Sequence, residues 1–170
     1  MSLDDLGLID YKVADKTLLI DGDLVVYRSC CVFNEDTDGD RRQIIRKINQ
    51  AIDSMMEKAG CNRYIMFVTT KFNFRDDLVD DYKAHRKEEE RPVNLAWAKR
   101  WVVKELNTHY WKKLEADDLL GVYMTKLEDA VLWSLDKDLR QIPGQHLDDA
   151  SGEVITVTDE GILREDTIVS

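Results

Sequence analysis

The stretch Lys16-Thr17-Leu18-Leu19-Ile20-Asp21-Gly22-Asp23 decides the fold. Consecutive apolar residues suit a strand covered on both faces, the pattern of a parallel sheet. Gly22 allows a tight turn into a helix predicted over Leu24 to Val32. The apolar pattern returns in Arg63 to Thr69 and again in Val131 to Leu135. Between the first two runs lies Arg42 to Ala59, with Ile44, Ile45, Ile48, Ile52, Met55 and Met56 at helical spacing and Gly60 as its stop. Strand, helix, strand at this length implies a right-handed crossover. The predicted fold is α/β: a central, mostly parallel twisted sheet with helices on both faces.

The remaining elements read outward from that frame. Residues 1 to 15 form a short lead-in, and Asn34 to Asp40 a loop that lacks the closing glutamate of a calcium site. Pro92 starts a helix over Val93 to Tyr110, whose Trp97, Trp101, Val102 and Leu106 are expected in the core. A helix opens at the Glu115 cluster and runs through Leu127. Pro143-Gly144 reads as a turn, and Glu153 to Val157 as an edge strand. No repeat or linker divides the chain, so residues 1–170 are expected to form one domain.

The chain has 170 residues, 44% hydrophobic and 34% charged, with a net charge of −10. An excess of acid disfavours general nucleic-acid binding unless basic patches or metal ions offset it. Three cysteines without framework or CxxC spacing indicate free thiols and a reducing compartment, each expected as a small buried residue. The acidic start is unlike a signal peptide, and no apolar run is long enough to span a membrane. A cytoplasmic protein without a membrane partner is expected.

The chemistry resides in the acids. Glu115, Asp117 and Asp118 fall within four residues; Asp21 follows the first strand; Asp136 and Asp138 follow the third. The helix dipole favours acids at a helix N-terminus, which alone accounts for the first cluster. Ligands in open α/β sheets bind beyond the carboxyl ends of strands. Six acids meeting there without histidine or cysteine select a hard cation, Mg2+ or Mn2+. Such a site supports phosphoester hydrolysis by metal-activated water. No P-loop, GxGxxG or GxSxG motif occurs, and none of His85, His109 and His146 has a base–nucleophile setting.

Lys71 to Arg91 mixes Arg75, Lys83, Arg86, Lys87 and Arg91 with Phe72, Phe74 and Tyr82. Basic and aromatic residues together suit a phosphate backbone with stacked bases. Glu88, Glu89 and Glu90 suit equally a solvated helix with internal ion pairs.

Four pieces, in order, resemble the FEN-like 5′ nucleases of the PIN-like superfamily, bacteriophage 5′–3′ exonucleases most of all. They are Leu18-Leu19-Ile20-Asp21-Gly22-Asp23, Phe74-Arg75 with Tyr82-Lys83-Ala84-His85-Arg86, Glu115-Ala116-Asp117-Asp118, and Ser134-Leu135-Asp136-Lys137-Asp138-Leu139. The resemblance implies metal ligation by Asp21, Glu115, Asp117, Asp118, Asp136 and Asp138, with two divalent ions. It implies a basic helical arch over residues 71–91, in which Lys83 and Arg86 act catalytically by holding the scissile and neighbouring phosphates. Tyr82 would stack on a base and Arg75 stand at the arch entrance. The implied substrate is DNA with a 5′ end or flap, or RNA, cut in exonuclease or flap-endonuclease manner; for a phage protein the setting is the host cytoplasm.

Two departures accompany the resemblance. Thr70 stands where many relatives place an aspartate after the second strand. The downstream Gly-Asp-x-x-Asp-Asn-like stretch and helix-turn-helix-type duplex-binding region are absent from this sequence. The second metal site is then short of ligands unless Asp148, Asp149, Asp159 or Asp166 substitutes, and duplex grip would come from a protein partner. The alternatives are a catalytically weak nucleic-acid-binding accessory module, a PIN-type ribonuclease, or a haloacid-dehalogenase-like phosphatase, whose Asp-x-Asp-Gly order is missing.

Overall fold

The computed structural model describes residues 15–69, 91–110, 115–159 and 161–163. Strand β1 (Thr17–Asp21) is buried at every position. It is followed by α1 (Gly22–Val32), α2 (Asp38–Ala59), β2 (Arg63–Phe67), α3 (Leu95–Glu105), β3 (Thr108–His109), α4 (Ala116–Lys126), β4 (Ala130–Trp133), a 3-10 turn (Leu139–Gln141), β5 (Gly144–Leu147), β6 (Val154–Thr158) and β7 (Gly161–Leu163). The seven strands form one sheet in the order β3-β2-β1-β4-β5-β6-β7. The first five are parallel, and β6 and β7 add on antiparallel.

The period of two along the strands divides the core between the faces. Leu18, Ile20, Met66, Val131 and Trp133 pack with α1, α2 and α3, including Val26, Ile44, Ile48, Ile52 and Val102. Leu19, Phe67 and Leu132 pack on the other face with Leu119, Leu120 and Met124 of α4. The chain adds strands to one side of β1, then reverses and places β4 on the other. That reversal is a topological switch point, where a crevice opens beyond the strand ends.

Local signals explain the helices. The Thr37 hydroxyl accepts from Asp40 N–H at 3.1 Å, so α2 begins within the stretch expected as a loop. Gly60 ends it in the left-handed region at φ 66°. Trp97 and Trp101 are half-buried against the first core layer. Cys30 is buried, whereas Cys31 is exposed and Cys61 half-buried, so only the first matches the expected placement.

Other elements also differ from expectation. The helix expected over Val93 to Tyr110 stops at Glu105, and Thr108–His109 pairs beside β2. The Thr108 hydroxyl donates to Val102 O at 2.8 Å, redirecting the chain into the sheet. Gly144 opens β5 instead of closing a turn, and β5 pairs with both β4 and β6. β6 is interior because β7 covers it. The segment expected as an arch, apart from Arg91, lies outside the described residues.

Gly22 leaves no room for a side chain between α1 and β2. A Cβ there would lie 2.6 Å from Met66 Cγ and from Phe67 O, and 2.8 Å from Val68 Cγ1. The backbone carbonyl cannot move without disturbing β2. Gly22→Ala is therefore expected to destabilise the protein by about 2 kcal/mol or more in urea unfolding; a change below about 0.5 kcal/mol would contradict this packing.

Candidate active site

Strand register brings distant residues together. Ile20 pairs with Trp133, so Asp21 and Ser134 emerge side by side from β1 and β4. The Ser134 hydroxyl donates to Asp21 Oδ2 at 3.0 Å and accepts from Asp136 N–H at 3.1 Å. Asp21 also caps α1, accepting from Leu24 N–H at 3.4 Å. On the other flank Asp21 pairs with Phe67, which brings Asp23 to the end of β2. Both Asp23 oxygens accept from Thr69 N–H, at 3.0 and 3.2 Å. Lys99 of α3 completes this corner, with its Nζ 3.1 Å from Asp23 Oδ1 and donating to Thr69 O at 3.5 Å. The Thr69 hydroxyl then accepts from Ala116 N–H at 3.1 Å and fixes the start of α4.

These contacts surround an open cleft of about 560 Å³. Asp21, Asp23, Glu115, Asp117 and Asp136 supply its acids, Lys99 its ammonium, and Tyr27, Leu95 and Leu135 part of its apolar lip. Thr69, which precedes the basic segment in sequence, and Leu95 and Lys99 of α3, which follow it, all line the cleft.

Burial and neighbouring charge raise the proton affinity of Asp21 and Asp117. Burial pushes the Asp21 carboxyl up from its ordinary value, opposed by the Ser134 hydrogen bond and reinforced by the charges of Asp23 and Asp136. Asp117 is pushed up to about 7, first by burial, then by its hydrogen bond to Asp136 and the charges of Asp136, Asp21 and Glu115. Two ionised carboxylates cannot hydrogen-bond to each other, so the contact with Asp136 favours the protonated form of Asp117.

The six acids expected to meet do not all line the cleft. Asp21, Glu115, Asp117 and Asp136 do. Asp118 turns back and accepts from Glu115 N–H at 3.3 Å, completing a capping box. Asp138 is exposed beside the 3-10 turn, with its N–H donating to Asp136 Oδ1 at 2.9 Å. Arg75, Tyr82, Lys83 and Arg86 lie outside the described residues, as do Thr70 and Asp166. Asp148 is bound to Arg140 at 2.9 Å and to the Ser151 hydroxyl at 2.8 Å. Asp149 accepts from Arg28 and from the Trp133 indole. Asp159 is exposed in the turn after β6.

Sequence reasoning assigned no role to Asp23, Thr69, Lys99 or Ser134. Asp23 and Ser134 stand inside the motifs that carry the family resemblance, a signal that could have found them. Lys99 is one of many helical lysines, and only the packing of α3 singles it out.

The family of 5′–3′ exonuclease N-terminal, resolvase-like domains matches residues 16–167. The chain belongs to this family. The exonuclease-family domain is similar to the T5 D15 protein co-crystallised with metal ions, with a TM-score of 0.51 and 18% identity over 82% of this chain and 56% of that one. It is also similar to the bacteriophage T5 D15 flap endonuclease in a pseudo-enzyme–product complex with DNA and metal ions, with a TM-score of 0.53 and 17% identity over 82% and 57%. At such identities the likeness shows the fold. The domain spans a little over half the length of these solved chains. No curated protein matches its sequence.

The cleft of this exonuclease-family domain fits a hard divalent cation by donor type: carboxylate oxygens from β1, α4 and the loop after β4, crowded against their own repulsion. Among the described residues no three such side chains are close enough to share one ion in this conformation.

The raised Asp117 carboxyl has a signed consequence. Between its ordinary value of 3.8 and about 7, the folded protein keeps a proton that the unfolded chain has released. That contribution to stability is full below pH 3.8 and is lost as pH rises through about 7. In EDTA, Asp117→Asn is expected to stabilise by about 1 kcal/mol at about pH 8, a value discounted for solvent screening, and by less than half of that at about pH 5. Equal effects on thermal unfolding at both pH values would contradict the repulsion.

Proposed function

We propose that this exonuclease-family domain hydrolyses phosphodiester bonds near 5′ ends of nucleic acid with Mg2+ or Mn2+, in exonuclease or flap-endonuclease manner. The observation that carries the reading is the Asp117–Asp136 pair facing Asp21 across the switch-point cleft. Like charges from three separate chain segments raise the energy of the empty site and favour a cation. The family membership and fold point the same way.

Asp21, Glu115, Asp117 and Asp136 would hold the cation, with Asp118 and Asp138 completing the proposed set of two-ion ligands. When bound, the cation neutralises phosphate oxygens and lowers the pKa of water. Ser134 orients Asp21 and ties it to the Asp136 backbone. Lys83 and Arg86 are proposed to hold the scissile and neighbouring phosphates, with Arg75 at the start of the segment and Tyr82 stacked on a base. Residues 71–91 would thereby form an arch within a single 1–170 nuclease domain, rooted on both sides of the cleft. The substrate is DNA with a 5′ end or flap, or RNA, and a protein partner would add duplex grip.

The test is cleavage of labelled 5′-flap and single-stranded oligonucleotides with Mg2+, Mn2+ or EDTA. Cleavage is expected with either ion and none in EDTA. Asp136→Asn is expected to lower the rate about a thousandfold, corresponding to about 4 kcal/mol of lost charge stabilisation. Lys83→Ala is expected to lower kcat about a hundredfold while leaving metal affinity within about twofold. Salt-sensitive binding without turnover would instead assign an accessory binding role, and cleavage of RNA alone a PIN-type ribonuclease.

A further inference from the structure

Lys99 is the one cation among the described residues lining a cleft with five carboxylates. Its side chain is 15% exposed, and its Nζ lies 3.1 Å from Asp23. A phosphodiester entering this cleft meets, among the described residues, five carboxylates and this single ammonium. We propose that Asp23 holds the Lys99 ammonium in reserve, and that a substrate phosphate displaces Asp23 as its partner. This inference rests on the nucleic-acid reading above.

The geometry makes the exchange inexpensive. Asp23 does not depend on Lys99 alone, because both its oxygens accept from Thr69 N–H. Losing the ammonium therefore leaves its carboxylate hydrogen-bonded. Lysine suits such an exchange, because its ammonium is a point charge on a flexible four-carbon stem and can turn between two anions without a fixed fork geometry. The corner also adjoins the start of the basic segment, since Thr69 bonds both Asp23 and Lys99 immediately before it. An ammonium transferred to a phosphate here would act beside Asp21, whose proton affinity already reflects the charge of Asp23.

The exchange predicts a non-additive pattern distinct from simple loss or gain of charge. Binding of a fluorescent 5′-phosphorylated oligonucleotide is measured by anisotropy in EDTA, so that metal ligation does not contribute. Asp23→Asn frees the ammonium and is expected to tighten binding about tenfold; Lys99→Gln is expected to weaken it about fivefold. The double variant Asp23→Asn/Lys99→Gln is expected to bind no more than about twofold more tightly than Lys99→Gln alone. Equal tightening by Asp23→Asn with or without Lys99 would overturn the exchange, as would no tightening in the single variant. Should Lys99→Gln fail to fold, the double variant strands no carboxylate and is compared with Asp23→Asn; equal affinities would overturn the exchange. If the unaltered protein binds no oligonucleotide, the nucleic-acid reading itself fails. Binding by the unaltered protein without the variant pattern removes only the exchange.

Discussion

A carboxylate held largely out of water at the end of a buried strand is the constraint on which the structure turns. Asp21 is 8% exposed, yet it stands beside Asp23 and Asp136. Burying such a group is unfavourable unless hydrogen bonds replace its water. Ser134 and the first turn of α1 provide them. The Ser134 hydroxyl also receives the Asp136 N–H, so the bond that steadies one acid places a second. Because Ser134 follows β4 and Asp21 ends β1, this arrangement exists only where those strands are neighbours in parallel register.

The other side of the cleft is built from a different kind of contact. Thr69 uses its N–H, carbonyl and hydroxyl to join Asp23 of α1, Lys99 of α3 and the first turn of α4. The start of α4 is thereby set against the strand ends, and Asp117 reaches Asp136. Among the described residues, one wall sets the Lys99 ammonium against Asp23, and the other brings Asp117 against Asp136. At this second wall burial and the neighbouring carboxylates push Asp117 up to about 7, so a cation held there would compete with its proton.

Much of the sheet was legible because burial on both faces leaves a continuous apolar run. Leu18-Leu19-Ile20, Ile65-Met66-Phe67 and Val131-Leu132-Trp133 all mark parallel strands. Short pairings were not legible: Thr108–His109 and Gly144–Leu147 carry no apolar run and exist because a neighbour offers hydrogen bonds. Among the acids, position after a strand was readable from spacing, and it located Asp21 and Asp136. Side-chain direction was not readable, because Asp117 and Asp118 are adjacent and a helix turns them apart by about 100°. One meets the cleft and the other caps its own helix. Lys99 was invisible for the same reason, since its meaning comes from the packing of α3 over the end of β2.

The most direct measurement is anomalous diffraction from crystals grown with Mn2+. The account predicts a manganese peak in the cleft, ligated by carboxylate oxygens of Asp21, Asp117 and Asp136. Crystals saturated with Mn2+ that show no peak within reach of these three residues would contradict it.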